Sequence, residues 1–354
     1  MPTYGPPPPG YGPPPGYGAA TGYGPPPGYG PPVPGVIKPG IIPLRPLTLS
    51  EIYNGAVGYI RANPRATLGL TAIVVVLMQI ITLVATVSPV AAYGRITPKS
   101  ELSLGFVGTW LGSMGLGLLA TWLGSMMLSG MLTVIVGRAV FGASITIGET
   151  WAKIRGRLLP LLGLALLEAA VVAALFGLVA VIVALLAAVG NAGAAILLGF
   201  PLMLVVLVLM VYLYTVVLFA PVLIVLERLP VFEAITRSFA LVRNGFWRVL
   251  GIRTLTFLVA SVIANAVGFP FSFVGEVILG GSGTTGGLLV STAIASVGSA
   301  IGQIITAPFS AGVTVLLYTD RRMRAEAFDL VLQSGAAGGP YAVASTDNLW
   351  LTRP

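Results

Sequence analysis

One carboxylate stands alone in the oiliest part of this 354-residue chain. Glu168 lies eight residues after Pro160, inside a stretch that otherwise reads as a membrane span. At about 1.5 Å per residue it sits roughly 12 Å deep. A carboxylate there is costly unless it is paired, hydrated or protonated. Its chemistry would be that of a proton or cation relay; the plainer reading is a protonated packing residue bonded to Ser or Thr. Glu168 is the only ionisable residue well inside a predicted span, so no second intramembrane charge is there to pair with it. The other chemically pointed residues are arginines. Arg61, Arg155 and Arg243 each precede a glycine (Gly69, Gly163, Gly251) by eight residues. With Arg237 and Arg248 they are candidate contacts to anionic lipid headgroups, each worth about 1 kcal/mol near a charged leaflet. The plainer reading is that they only set topology.

The remaining chemistry is bounded by what is missing. The chain has no His and no Cys. That excludes His–metal sites, thiolate sites, disulfides, His bases and Cys nucleophiles. It carries no Walker loop and no Ser nucleophile motif. We therefore expect no catalytic, metal-binding or cofactor-binding residue, no cofactor and no enzyme activity.

The elements that must position these residues follow from composition. Hydrophobic residues make up 56% of the chain and charged residues 8%, against about 25% charged in soluble domains. That composition excludes a soluble enzyme and specifies a multi-pass membrane protein. Uncharged runs cover 66–94, 102–137, 169–226, 254–275 and 277–319. A crossing needs about 20 apolar residues, so the run 169–226 holds two spans, split at Gly190-Asn191-Ala192-Gly193. The predicted spans are 67–92, 110–137, 160–189, 194–225, 253–276 and 288–318. The run 102–137 is longer than one crossing requires. It reads either as one tilted helix or as a helix with an interfacial start. Gly108/Gly112 and Gly298/Gly302 form G-x-x-x-G pairs that allow close helix approach.

With six spans and an inner N-terminus, every Lys and Arg except Arg95 and Lys99 falls on the cytoplasmic side. The expected localisation is the cell membrane, with both termini cytoplasmic. Residues 1–42 form a separate region, in which Tyr4, Tyr11, Tyr17, Tyr23 and Tyr29 each precede Gly among Pro runs. Such a sequence buries no core and reads as a disordered Pro/Gly/Tyr-rich tail. The domain organisation is thus a tail at 1–42, a membrane domain at 43–330 and a flexible cytoplasmic C-terminal tail at 331–354. Expected partners are the lipid bilayer, including anionic lipids, and a cytoplasmic protein recruited by the N-terminal tail. Nucleic acid is not expected, because the tail lacks Arg and the basic residues are spread along the membrane face.

Three segments preceding the odd-numbered spans look alike: 49–69, 146–163 and 230–251. Aligned on their final glycines, Glu51 and Glu233 coincide, while Glu149 lies about one turn nearer its glycine. In the third copy Val231, Ile235, Phe239, Val242, Phe246 and Val249 fall at roughly 160–240° from Glu233 at 100° per residue. Glu233, Arg237, Asn244 and Arg248 fall on the opposite side, and Glu233 and Arg237 make an i,i+4 pair. The fold class is an all-α polytopic membrane protein. Its six transmembrane helices form three repeats of an interfacial elbow helix followed by a two-span hairpin.

The stretch 220–252 holds Pro221, Glu227, Ala234, Arg237, Ser238, Phe246, Trp247 and Arg248. It resembles multi-pass actinobacterial membrane proteins related to the membrane domain of glycerophosphoryl diester phosphodiesterases. The opening R-P-L-T-L-S-E-I-Y-N-G-A at 45–56 is similar to that family's start. The tail looks like those of mycobacterial-type proline- and glycine-rich transmembrane proteins. The resemblance covers about residues 43–330. It implies a non-catalytic membrane domain, since the associated phosphodiesterase barrel needs His and more chain than is present. The leading expectation is a non-enzymatic scaffold or lipid-associated organiser with a partner-recruiting tail. The alternative is a permease or transporter subunit using Glu168, which requires a path from water to that carboxylate.

Overall fold

The computed structural model describes residues 40–93, 104–189, 192–279, 285–337 and 346–351. The expectations for residues 1–39, for Arg95 and Lys99, for the Gly190-Asn191 split and for Arg353 lie outside the described residues. Among the described residues there is no strand. Six helical stretches are long and apolar enough to cross a membrane, and the chain has a multi-pass membrane architecture.

The helices are α1 (Leu49–Ala62), α2 (Pro64–Tyr93), α3 (Leu104–Ala139), α4 (Ile147–Ile154), α5 (Leu158–Val189), α6 (Ala192–Val217) and α7 (Ala220–Leu226). They continue as α8 (Val231–Arg243), α9 (Phe246–Val274), α10 (Thr285–Glu326) and α11 (Phe328–Ala337). A 3-10 turn at Arg155–Arg157 links α4 to α5, a π turn at Gly275–Leu279 follows α9, and a 3-10 turn at Thr346–Trp350 follows α11. Three repeats are plain: α1 leads into the α2–α3 hairpin, α4 into α5–α6–α7, and α8 into α9–α10. We call the end of the bundle that carries α1, α4 and α8 the elbow end. From Leu104 onward the run 102–137 is one continuous helix, α3, of 36 residues.

The elbow helices begin alike for a local reason. Thr48 and Thr146 each accept from the N–H of the third helical residue, and that residue, Glu51 or Glu149, accepts from the cap N–H in return. Glu233 holds the same third position in α8, but Pro230 stands at the cap and its ring offers no hydrogen-bond acceptor. Aligned on helix starts, the three glutamates coincide. The one-turn offset seen from the glycines arises downstream, where α4 is only 8 residues long.

The fourth span is not one helix. Pro221 has no N–H and crowds the preceding turn, so the chain breaks between Val217 and Ala220. Ser238 of α8 fills the gap. Its Oγ donates to the Val216 carbonyl (2.5 Å) and accepts from the Phe219 N–H (3.2 Å). The third elbow also differs from its sequence reading, because α8 ends at Arg243 and α9 starts anew at Phe246. The break falls at Gly245, where a Cβ would lie 2.4 Å from the Arg321 guanidinium. That guanidinium donates twice to the Leu241 carbonyl (3.1 Å each), capping the end of α8. The buried stripe of α8 is Ala234, Ser238, Leu241 and Val242, while Phe232 and Phe239 stay exposed.

Burial concentrates at the elbow end, where α10 runs past the apolar span and carries charge into the protein. Asp320 is fully buried. It accepts from the Leu47 N–H (2.8 Å), Arg324 (2.8 Å) and Arg248 (3.3 Å). Arg248 and Arg324 also donate to the Leu47 carbonyl (2.9 and 3.0 Å). Glu227, also buried, accepts from Arg237 (2.5 Å) and the Tyr318 hydroxyl (2.6 Å), with Arg322 at 3.5 Å. Arg237 and Arg322 share Glu326 (2.9 and 3.0 Å). Burial works against the Arg237 charge, but the Glu227 hydrogen bond and the two carboxylates hold that guanidinium more firmly protonated than usual. Tyr59 of α1 packs on Gly312 of α10 and donates to the Pro308 carbonyl (2.5 Å). Its burial pushes the phenol above its usual range.

Both tail boundaries differ from their sequence reading. Residues up to 42 are expected to be free, yet Ile42 is fully buried and the Ile41 N–H donates to Ala139 O (3.3 Å). Residues 331–354 are expected to be flexible, yet Leu332 and Trp350 are buried. Trp350 stacks on Tyr318, and its carbonyl accepts from Arg322 (2.9 Å). An indole with a partnered backbone anchors a segment whose composition alone reads as loose.

Candidate functional site

α5 is apolar all round, so its sequence does not show which side faces the protein. Packing does. Leu161, Leu164 and Ala165 are buried, and Glu168 continues that stripe at the next i+3/i+4 position. The half-buried carboxylate faces a cavity of about 260 Å³ among α3, α5, α6, α7, α9 and α10. α10 contributes Ala307, Ser310, Ala311 and Thr314, again one helical stripe, of small residues that leave the space open. α3 contributes Trp122, Ser125 and Ser129, and α6 contributes Tyr214.

The sixth contributor is Arg253 of α9. It donates to the Tyr214 hydroxyl (2.6 Å), with its guanidinium 5.5 Å from that ring's centre. The cavity thus holds one carboxylate and one guanidinium on different walls. Glu168 forms neither a hydrogen bond nor an ion pair with any described residue, Arg253 included. The Trp122 indole N–H is buried without a partner. A free acid, a tethered base and hydroxyls in one space can hold a small polar solute by both its charges. At about 260 Å³ it falls just below the roughly 300–1,000 Å³ of drug-sized pockets. Among the described residues no cluster of three or more acidic side chains could hold a metal.

The arginines predicted as headgroup contacts divide into two groups. Arg61, Arg155 and Arg243 are exposed at the elbow end and form no ion pair with a described residue. Arg237 and Arg248 are turned into the protein, on Glu227, Glu326, Asp320 and the Leu47 carbonyl. Arg237 therefore pairs with Glu227 and Glu326, not with its i,i+4 neighbour Glu233. Of the glycine pairs, Gly298 and Gly302 lie against Phe271 and Ala264 of α9, whereas Gly108 and Gly112 face open space.

Sequence reasoning missed Arg253 because it counted as a flanking residue of the fifth span. The signal was there in principle: Arg253 is seven residues past Phe246, two turns into α9. Its depth becomes visible only once the helix start at Phe246 is fixed.

Over residues 50–321 the chain matches the family described as a domain of unknown function (DUF7847), and it belongs to that family. No curated protein matches it, and no solved structure does.

Proposed function

We propose that this DUF7847 member is a non-enzymatic permease of the cell membrane, with the elbow end cytoplasmic. Its solute site is the cavity between Glu168 and Arg253. The observation that carries the reading is the unpaired Glu168 carboxylate, aimed into the same space as the Arg253–Tyr214 pair. Leaving a carboxylate unpaired at span depth is costly, and a cationic group arriving in the cavity would remove that cost. A zwitterionic solute, with its cation on Glu168 and its anion on Arg253, matches both walls. The orientation is supported by the concentration of Lys and Arg near the elbow end. The scaffold reading rests on the tail at 1–42, of which residues 1–39 lie outside the described residues.

The chain has no Cys, so a single introduced thiol reports cleanly. In sealed membranes, a Ser310→Cys thiol on the cavity wall should react with a small cationic water-soluble thiol reagent and be protected by millimolar zwitterionic amino acids. Glu168→Gln and Arg253→Gln should each abolish the protection and leave the labelling. A position-310 thiol that no water-soluble reagent reaches from either side would remove the solute pathway.

A further inference from the structure

A second cavity, of about 230 Å³, opens at the elbow end, and the polar groups around it are overwhelmingly of one sign. Arg138 ends α3, Lys153 lies in α4, Arg157 in the turn before α5, and Arg228 follows α7. The one carboxylate among them is Asp347, carried in by the 3-10 turn after α11. Arg138 grips it with two nitrogens, Nε at 3.3 Å and Nη2 at 3.1 Å, and Lys153 pairs with it as well. Arg228 pairs with no carboxylate among the described residues, and Arg157 is bonded only to the Arg228 carbonyl (3.3 Å). Glu149 of α4 also acts electrostatically on Arg138 and Lys153, so two carboxylates stand against four cations and a positive excess remains at the cavity. A two-pronged guanidinium grip with an ammonium beside it is the geometry that receives a tetrahedral oxyanion. Arg228 also has a positive φ of 59°. That conformation is disfavoured for a residue with a Cβ.

We propose that this cavity is a binding site for a phosphate group, and that Asp347 occupies it as an internal stand-in which the phosphate displaces. A phosphate brings about −1.5 to −2 charge and three acceptor oxygens, so it offsets the excess more fully than the single charge of Asp347 does. The displaced element is the short segment Thr346–Trp350, held otherwise by the buried Trp350 indole. Site and plug lie at the elbow end and involve no residue of the Glu168 cavity, so the two proposals stand or fall separately.

The test uses the full chain in nanodiscs. Asn348 is exposed beside Asp347, and Asn348→Cys supplies the only thiol. One arm adds inorganic phosphate to phosphatidylcholine discs, with chloride at equal ionic strength as control. The other arm replaces part of the phosphatidylcholine with phosphatidic acid and adds no free phosphate. Thiol reactivity should rise several-fold in at least one arm. A rise in the first arm alone identifies a soluble phosphate as the ligand, and a rise in the second alone a lipid headgroup. Direct binding of labelled phosphate, or of labelled phosphatidic acid, should tighten several-fold in Asp347→Asn and weaken several-fold in Arg228→Gly. The glycine relieves the positive φ, so its loss of binding is not a folding defect. No binding in either arm overturns the site. Binding that leaves the thiol's reactivity unchanged, or that Asp347→Asn fails to tighten, overturns the displacement.

Discussion

The Glu227 carboxylate is shut away from solvent and accepts from Tyr318 and Arg237, with the Arg322 guanidinium alongside. Removing one member of such a group leaves the others charged and uncompensated, at a cost of about 3–5 kcal/mol. Glu227→Gln should therefore lower unfolding stability in detergent micelles by an amount of that order, whereas exposed Glu233→Gln should change it by less than about 0.5 kcal/mol. Equal unfolding midpoints for the two variants would show that Glu227 contributes no net stabilisation. These two glutamates also mark where sequence reading reaches its limit. Glu227 and Ser238 stood out only through the family resemblance, and Arg237 also by helical periodicity, but their roles were not legible from either. Ser238 looks like any helix serine until Pro221, on another helix, breaks the backbone that it repairs. Glu168 was legible because a charge inside an apolar run is conspicuous in one dimension. Its companion Arg253 was not, because depth along α9 depends on where α9 begins.

The elbow helices were legible as elements from their basic, amphipathic pattern. Their shared origin at the third-position glutamate was hidden, since the alignment used the glycines at the far end, where the copies differ in length. Two of the three starts rest on a reciprocal cap, and substituting the cap residue by alanine costs roughly 0.5–2 kcal/mol. Thr48→Ala and Thr146→Ala should each lower stability within that range, read by chemical unfolding. Thr236→Ala, whose hydroxyl bonds only within its own helix, should not. A loss at Thr236 equal to that at the caps would mean that the effect is generic to these helices. The six spans were legible because length and apolarity are enough to specify them. The contribution of packing is the facing of α5 and the break before α7, neither of which a periodicity can supply in a helix apolar on all sides.

For the molecule as a whole, the chain ends at its membrane unit were the least legible part. Ile42 and Leu44 sit in a Pro-rich stretch, and Trp350 in a polar one, so local composition masks their burial. Fully burying an aliphatic side chain contributes about 1.5–3 kcal/mol. Deleting residues 1–36 should leave the unfolding transition of the membrane unit unchanged, and deleting 1–44 should lower it by several kcal/mol. Equal transitions for the two truncations would show that the docked segment 40–44 adds nothing. α10 joins these scales, since one unbroken helix of 42 residues carries both the cavity wall and the charged cluster. Pro308 lies beside the cavity, and its carbonyl is held by Tyr59. From there to Glu326 runs roughly 27 Å of helix at 1.5 Å per residue. A tilt of about 5° at the proline would swing the far end by about 2 Å, more than an ion pair at hydrogen-bond distance tolerates. The helix is thus a lever with its fulcrum beside the Glu168 cavity and a latch of arginines and carboxylates at its tip. Its angle cannot change without springing that latch.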